Sequence, residues 1–500
     1  MPKRPREAIP NATLYNLRDA RGMTQLEVAH ALNELAAKHD KAIHIDNVTV
    51  SRWERGVIER PSPLYRRLLA ELFDVSLDEL GFTRPASVAT PHVAGNAVGI
   101  GALVIDQSPM SVEPRVQADQ DQWRATRAFL NRHRAELGRV AARLYDPDQR
   151  LDNTGLLTRS GWLPDYPVSL TSIELDLLDD APGPTVTGTA TEARGVRPLA
   201  TVASRYERYS HGIRDLAHPV LFENRLSYRL LGAGLTSTTP RMSFSHTTYF
   251  EGIDIHEALG HELATVVDRS SDDEVSRRTP SWRGLPLRRL IGDPCDFTRR
   301  SSLVSLSTLT IRDDGKEPSF VLHDRSAARV AIAGGTLHVM PAGTFQPSSI
   351  LPGAQAEDFD LWRNVMREYS EEFLGNREHG GDGAPVDYGS QPFASLDAGV
   401  RDGRAQIYCL GLGLDALTLN AEILTVAVFD ADLYDDLFAE MVASNDEGTI
   451  VTVDGTMAPT NAIPFDRFTV PRLIEHTAMA PAARGCLQLA WDHRKALFGE

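Results

Sequence analysis

The sequence predicts a multidomain protein with an all-α N-terminal domain, a mixed α/β middle region and an α/β/α layered C-terminal domain. Three observations support this fold class. Residues 13–82 carry apolar side chains at helical spacing, residues 115–292 mix amphipathic and alternating runs, and residues 293–500 hold short β-prone runs around one clear helix. A chain of 500 residues also exceeds what one hydrophobic core usually supports.

The predicted N-terminal domain, residues 1–82, has helix-capping signals at both ends. Thr24 to Glu27 and Ser76 to Glu79 both have the capping-box pattern, and Gly56 lies where a C-cap would end the third helix. Apolar side chains repeat at helical spacing, so we expect them to form one small core: Leu14, Leu17, Leu26, Ala29, Leu32, Leu35, Val50, Trp53, Leu68 and Leu72.

Four segments of this domain resemble the Cro-repressor-like (XRE-type) helix-turn-helix of bacterial regulators: 21–25, 50–56, 61–63 and 75–80. The resemblance implies that the third helix enters the major groove, with Val50 and Trp53 packing inward. The side chains that would contact bases or phosphates are then Gln25, Asn47, Val48, Thr49, Ser51, Arg52 and Arg55. Residues 36–45 stand where the family has a short turn. The alternative is a helical bundle used for protein contacts.

The charge distribution bears on how such a protein would bind DNA. The formal net charge is −16, but residues 1–85 carry +1 and the remainder −17. The acidic bulk would repel DNA, so we expect a local basic surface, a homodimer on operator DNA and binding that weakens with salt. The basic side chains of that surface are Lys3, Arg4, Arg6, Arg52 and Arg55.

Cellular location is predicted from what the sequence lacks. Cys295, Cys409 and Cys486 form no C-x-x-C pair, and no apolar run reaches the roughly 18 residues typical of a membrane span. The basic start is not followed by an apolar segment, so it does not resemble a secretory signal. A cytoplasmic protein without a membrane partner is expected. Residues 83–114, rich in Ala, Pro, Val and Gly, are predicted to be a linker.

The middle domain, residues 115–292, is predicted in outline only, and its role is not predicted. Residues 122–145 have the pattern of one long amphipathic helix, and 242–262 that of a strand followed by a helix. His256 and His261 suggest a zinc motif, but five positions separate them, so the two rings should diverge. We expect them to be surface histidines.

The helix predicted at residues 358–374 contains the second strong motif. On an α-helix Glu368, Glu371 and Glu372 would share one face, where their repulsion is relieved by a hard cation such as Mg²⁺ or Mn²⁺. Arg367, four residues before Glu371, could orient it through an ion pair.

This motif resembles the R-E-x-x-E-E core of the Nudix box, a diphosphate-hydrolysing motif, and the resemblance covers roughly residues 300–490 of the predicted domain 293–500. Residues 339–343 match the upstream strand and Pro-x-Gly turn of that family, and Glu422 matches an extra carboxylate. The chain departs from the family at Ser349, where the family has a Glu. The next acidic residues, Glu357, Asp358 and Asp360, come later in the chain.

The resemblance implies that Glu368, Glu371, Glu372 and Glu422 bind the metal, and that the first three are catalytic if the site hydrolyses. Three interpretations stay open. The site could be competent for metal and nucleotide, it could bind a ligand without hydrolysis, or the acidic helix could simply be solvated.

The favoured function is a transcriptional regulator whose Nudix-like domain senses a nucleotide or related phosphorylated metabolite. The alternative is a Mg²⁺-dependent Nudix-type nucleoside-diphosphate hydrolase with a DNA-binding appendage. An interaction scaffold ranks last, because neither motif predicts it.

Overall fold

A computed structural model of the chain divides into two compact units, residues 1–106 and 107–500. It describes residues 11–19, 21, 23–38, 45, 47–54, 61–73, 75, 80, 82, 113–217, 219, 222–267, 275, 281–325, 336–376, 379, 385–439, 441–442, 448–451 and 462–499. The predicted linker therefore lies almost wholly outside the described residues.

The described residues of the first unit form helices around one core, as predicted. The helices are α1 (Ala12–Asp19), α2 (Gln25–Lys38), α3 (Asn47–Glu54) and α4 (Pro63–Phe73). Leu14, Ala29, Leu32, Val50, Trp53 and Leu68 are buried in that core, and Leu17, Leu35 and Leu72 pack against it half-buried. Leu26 was predicted to join them, but it is 50% exposed, because the inward face of α2 passes through Val28 and Ala29 instead.

The predicted capping box at the start of α2 is formed. The backbone N–H of Thr24 donates to the Glu27 carboxylate over 2.7 Å, and the N–H of Glu27 donates to the Thr24 hydroxyl over 3.2 Å. The second predicted box, Ser76 to Glu79, and the predicted C-cap Gly56 lie outside the described residues.

The second unit combines helices with several sheets. Its helices are α5 (Pro114–Arg132), α6 (Arg134–Ala142), α7 (Tyr209–Leu216), α8 (Tyr249–Val266), α9 (Pro286–Ile291), α10 (Pro352–Asp358), α11 (Leu361–Glu368), α12 (Phe393–Arg401), α13 (Ala431–Leu437), α14 (Thr469–Ile474), α15 (Pro481–Asp492) and α16 (Arg494–Phe498). Its strands are β1 (Arg150–Leu151), β2 (Leu156–Leu157), β3 (Val168–Ser169), β4 (Glu174–Leu177), β5 (Leu226–Gly234), β6 (Arg241–Thr248), β7 (Val304–Asp313), β8 (Ser319–Phe320), β9 (Leu322–Arg325), β10 (Leu337–His338), β11 (Ala342–Thr344), β12 (Ala405–Asp415), β13 (Ala421–Asp430), β14 (Gly448–Val451) and β15 (Ile463–Pro464).

The largest sheet is mixed and has the strand order β1-β2-β12-β13-β7-β8-β15, with β11 paired to β7 and β3 to β12. Strand β13 runs parallel to β7 and antiparallel to β12. Two smaller sheets have the orders β4-β6-β5 and β10-β9-β14.

Both faces of the largest sheet are covered by helices, as the alternation of side chains along β13 shows. Ile423, Ala427 and Phe429 belong to the cluster that includes Val365 of α11. Leu424, Val426 and Val428 belong to the cluster that includes Leu487 of α15. Helices therefore pack on both faces of this mixed sheet, and its central strands are buried on both sides.

The predicted boundary between a middle domain (115–292) and a C-terminal domain (293–500) does not separate two units. Strands β2 and β3, which belong to the predicted middle domain, hydrogen-bond to β12 of the C-terminal domain. Shared strands join the two stretches into one body, so residues 107–500 form a single unit.

Two predicted helices also differ in detail. The helix predicted over 122–145 is broken at His133, which ends α5 and begins α6. The predicted strand and helix at 242–262 are confirmed as β6 and α8, and α8 starts with a capping box between Thr248 and Glu251.

Candidate functional site

The first candidate site is the helix α3 of the first unit. Val50 and Trp53 are each only 1% exposed, as predicted, and the Trp53 ring lies 5.6 Å from the Tyr65 ring of α4, centroid to centroid. Thr49 is half-buried. The predicted DNA-contacting residues Asn47, Val48, Ser51 and Arg52 lie on α3 with side chains outside the described part of the structure, and Arg55 lies outside it altogether.

We expect Gln25 to contact a DNA phosphate, but one of its amide hydrogens is already bonded within the protein. The Gln25 side chain donates to the Glu54 carboxylate over 2.6 Å. Glu54 is 6% exposed and also forms an ion pair with Arg18 at 2.5 Å. A buried carboxylate requires donors, so Gln25 and Arg18 fix the end of α3 against α2 and α1.

The end of the segment 36–45 is held by one side chain. The Asn33 amide of α2 donates to the Ile45 carbonyl over 2.8 Å, and the Ile45 N–H donates back to the Asn33 carbonyl oxygen over 2.8 Å. Ile45 itself is buried in the core. These contacts join Ile45, two residues before α3, to α2.

The second candidate site is a cavity of about 300 Å³ in the second unit. Its walls come from α6, α8, the sheet strands β7 and β13, the turn after β11, the helix α11 and the start of α15. The charged and histidine side chains lining it are Arg134, Glu223, Arg225, His256, Glu257, Arg325, His338, Arg367, Glu368, Glu371, His379, Asp415 and Glu422.

The Glu-rich motif is not a regular α-helix. Asp360 caps α11 by accepting from the N–H of Arg363, and after Glu368 the chain passes into a π-turn over Tyr369–Phe373, in which the N–H of Leu374 donates to the Tyr369 carbonyl. The three predicted ligands do not share one surface. Glu368 and Glu371 line the cavity, whereas Glu372 is buried and is not part of its wall. We predicted that three carboxylates share one face, but only two of them, Glu368 and Glu371, line the cavity.

The position of Glu368 depends on a glycine. A β-carbon placed on Gly343 of β11 would lie 1.9 Å from the Glu368 carboxylate. The carboxylate thus rests directly on the backbone of the turn predicted from residues 339–343. Glu371 is held differently, since one of its oxygens accepts from the backbone N–H of His379 over 2.6 Å.

The prediction that Arg367 orients Glu371 through an ion pair was wrong. The Arg367 guanidinium forms an ion pair with Asp358 at 3.0 Å and donates to the Gln346 carbonyl at 2.6 Å and to the Asn364 side chain at 2.9 Å. The acidic partner of Arg367 is therefore Asp358. Asp358 comes nine residues after Ser349, the position where the Nudix family has a Glu.

Glu422 of β13 completes the acidic part of the cavity. Its two carboxylate oxygens accept from the Asn420 amide at 2.8 Å and from the Ser307 hydroxyl at 3.2 Å. Part of its surface faces the cavity, but desolvation by the surrounding protein raises the pKa of Glu422 to about 8, and the nearby Asp415 adds to the rise. At neutral pH this carboxyl group holds a proton.

The middle of the chain supplies a wall that sequence reasoning missed. Arg134 of α6 forms an ion pair with Glu257 of α8 at 2.8 Å. Burial alone would raise the pKa of Glu257, but Arg134 and Arg127 hold it below its ordinary value. Phe222, Arg225 and Tyr249 line the same side.

His256 and His261 are both buried, at 3% and 4% exposure, so the predicted surface location was wrong. His256 accepts from the N–H of Leu303 at 3.1 Å, and its other ring nitrogen lies 3.0 Å from the Thr418 carbonyl, to which it donates. Burial lowers the pKa of His256 to about 4. The signal for this wall was the motif H-E-A-L-G-H-E itself, because its two His-Glu pairs flank an apolar stretch on a helix that is buried all round.

A third part of the lining is more basic, and its arginine is within electrostatic reach of Glu422. Arg325 of β9 and His338 of β10 line it, next to Ala480 and Pro481 at the start of α15. Desolvation lowers the pKa of His338 to about 3, so this imidazole is neutral and donates to the Val339 carbonyl. The cavity therefore offers carboxylates, guanidinium groups and a neutral imidazole to one ligand.

Within the described residues, no group of three or more His, Cys, Asp or Glu side chains is arranged to hold a metal ion. Of the four predicted metal ligands, Glu368, Glu371 and Glu422 line the same cavity and Glu372 does not. Oxygen ligands of this kind fit Mg²⁺ or Mn²⁺, which usually take part of their coordination from substrate phosphates and water.

Comparison with known proteins covers the first unit alone. A family model described as the SP15 N-terminal domain matches residues 14–82. No curated protein matches the chain. The helices of the described part of the chain include none long and apolar enough to cross a membrane.

Proposed function

We propose that the chain is a transcriptional regulator that binds operator DNA through α3 as a homodimer. The observation that carries this proposal is the burial of Val50 and Trp53 on one face of α3. Successive residues on an α-helix are turned by about 100°, so anchoring that face leaves residues such as Ser51 and Arg52 on other faces of the helix. Bulky anchors beneath a polar helix are what a helix-turn-helix requires.

The second unit then acts as the sensor of a nucleotide or related phosphorylated metabolite. Its cavity of about 300 Å³ lies at the lower end of the range for small-molecule sites. Glu368 and Glu371 would receive a divalent cation bound to the phosphates, and Arg325 would contact the phosphates directly. Phe222 and Tyr249 present aromatic surface to the remainder of the ligand.

Ligand and DNA would be coupled through linkage. A ligand that binds one arrangement of the homodimer more tightly than another shifts DNA affinity by that difference. The expected operator has two half-sites one helical turn apart.

The proposal is tested by selecting duplexes from a random pool with the full-length protein, and by native mass spectrometry of the protein as purified. A selected two-fold motif, with a small-molecule adduct that changes the affinity for it, is the expected result. If no DNA sequence is enriched, the proposal that the chain is a transcriptional regulator is refuted.

A second candidate function is favoured by one observation: Glu368, Glu371 and Glu422 line one cavity. In that case the chain would be a Mg²⁺-dependent nucleoside-diphosphate hydrolase. Glu368 and Glu371 would hold the ion, which would supply activation of water for attack on phosphorus. Incubating a panel of dinucleotides with Mg²⁺ should release nucleoside monophosphate, and Glu371→Gln should abolish the release. Glu357→Gln is the matched control, because Glu357 is exposed and outside the cavity wall. If no dinucleotide of the panel is hydrolysed, ligand sensing remains the proposed function of this cavity.

A further inference from the structure

A second cavity, of about 410 Å³, lies in the second unit and shares no residue with the first. The segments that form it are the first turn of α5, the 3-10 turn at Thr191–Val196 and the residues up to 205. Its lining residues are Arg115, Arg194, Gly195, Leu199, Val202, Ala203, Ser204 and Arg205. Three of these eight carry a guanidinium group.

Arg205 is fixed in place by protein contacts. Its guanidinium forms hydrogen bonds of 3.1 and 3.2 Å with both oxygens of Asp119 and donates to the Arg197 carbonyl at 2.6 Å. A guanidinium held in this way presents its remaining edge in a defined direction, which favours recognition of a planar or tetrahedral oxyanion.

In the part of the chain that the structure describes, Arg115 and Arg194 have no ion pair like that between Arg205 and Asp119. Both are exposed, and among the described residues neither has a carboxylate within ion-pairing distance. Asp119 is thus the one acidic side chain that neutralises an arginine of this cavity within the described part of the chain.

A fourth arginine lies behind the wall. Arg197 is 9% exposed, and its Nε hydrogen has no hydrogen-bond partner among the described residues. Burial lowers the pKa of Arg197, and the charges of Arg194 and Arg205 lower it further, whereas the carboxylates of Asp254 and Glu207 oppose the fall. The three guanidinium groups are therefore within electrostatic reach of one another.

The start of α5, where Arg115 lies, is capped by the Glu113 carboxylate, which accepts from the backbone N–H groups of Arg115 and Val116 at 3.1 and 3.3 Å. The positive potential therefore comes from the guanidinium groups and not from the helix end.

We infer that this arginine-lined cavity binds a small phosphorylated metabolite, with its phosphate group between Arg115, Arg194 and Arg205. Like charges gathered in one concavity repel each other, and an oxyanion removes that repulsion. Leu199 and Val202 offer apolar surface beside the arginines for the organic part of the ligand. A nucleic-acid backbone fits less well, because residues beyond 85 carry a net charge of −17, which repels a long polyanion.

Isothermal titration calorimetry of the full-length protein with inorganic pyrophosphate tests this inference. Low ionic strength keeps the attraction measurable, and EDTA removes the divalent cations that phosphate binding at Glu368 and Glu371 would require. Saturable binding is expected, and the double variant Arg115→Ala/Arg194→Ala should raise the Kd at least tenfold. Arg283→Ala is the matched control, since it removes one exposed guanidinium elsewhere in the unit and should leave the Kd unchanged.

Two results would overturn the inference: no binding of pyrophosphate to the wild-type chain, or equal affinity in the double variant. Circular dichroism of each variant shows that it is folded. Displacement of pyrophosphate by a random-sequence duplex at lower concentration than by a nucleoside diphosphate would also overturn it, in favour of a nucleic-acid surface. The outcome is independent of whether α3 binds an operator.

Discussion

The guanidinium of Arg367 and the carboxylate of Asp358 lie 3.0 Å apart, with their side chains 5% and 1% exposed. Asp358 also accepts from the backbone N–H and the hydroxyl of Ser348, and Tyr388 donates to it. These contacts tie α10 and the long loop before it to the helix that carries Glu368. Residues 345–358 therefore act as part of the site's scaffold.

Asp358→Ala should strongly destabilise the second unit. Removal of one member of a buried ion pair leaves the other charge uncompensated, at a cost of about 3–5 kcal/mol in the free energy of unfolding. Urea unfolding followed by tryptophan fluorescence measures this, because five of the six tryptophans lie in residues 107–500. The control is Asp397→Ala, which breaks an exposed pair with Arg401 at 3.5 Å and should cost less than about 1 kcal/mol. Equal effects of the two variants would contradict the structural role of Asp358.

Gly343→Ala should move Glu368 out of position. Because a β-carbon at Gly343 would overlap the Glu368 carboxylate, that side chain must swing away. We expect Mn²⁺ affinity, measured by calorimetry, to fall at least tenfold. Gly353→Ala provides the control, since a β-carbon there meets nothing within 4 Å. Unchanged Mn²⁺ affinity in Gly343→Ala would remove Glu368 from the candidate metal ligands.

The stability of the second unit should fall in mild acid because of His256. Its pKa is about 4 in the folded chain and about 6.5 when unfolded, so the unfolded state binds the extra proton between these values. The stabilisation is complete above pH 6.5 and is lost as the pH falls towards 4, by about 2 kcal/mol between pH 7 and pH 5. His256→Gln keeps one donor and one acceptor and should reduce this loss of stability by about 2 kcal/mol, leaving the part that comes from His338. The exposed His476→Gln should leave the whole dependence unchanged. An unaltered slope in His256→Gln would contradict a buried neutral imidazole.

Asn33→Ala should loosen the start of α3. It removes both hydrogen bonds to the backbone of Ile45, so the amides of residues 45–54 should exchange with solvent faster. Hydrogen-exchange mass spectrometry of the full-length protein measures this at the peptide level. His30→Ala, at an exposed position of the same helix, is the control. Equal protection in both variants would show that Asn33 does not hold the inserted segment.

The regular parts of the fold were predictable because their periodicity is unambiguous. The burial of Val50 and Trp53 and the strand–helix pair β6–α8 follow from apolar spacing. The short β-prone runs of the C-terminal part include the strands β12 and β13, which are almost continuously buried. Leu26 shows the limit of that reasoning: several apolar residues of α2 share a helical period, and only packing against α3 and α4 decides which of them turn inward.

The site was less predictable because its geometry depends on contacts between distant residues. The π-turn at Tyr369–Phe373 changes which glutamates face the cavity, and spacing on an ideal helix cannot anticipate it. Arg367 finds its partner in Asp358 rather than Glu371 because the loop folds back onto α11. The wall made by Arg134, His256 and Glu257 comes from a region that joins the sheet through β2 and β3.

The most direct test of the regulator is the affinity of Arg52→Ala for DNA selected by the wild-type chain, measured by fluorescence anisotropy at two salt concentrations. Arg67→Ala, which removes an exposed arginine from α4 of the same unit, is the matched control. We predict that Arg52→Ala loses at least tenfold in affinity and shows a weaker dependence on salt, while Arg67→Ala binds as the wild type does. Wild-type affinity and salt dependence in Arg52→Ala would contradict the assignment of α3 as the helix that reads DNA.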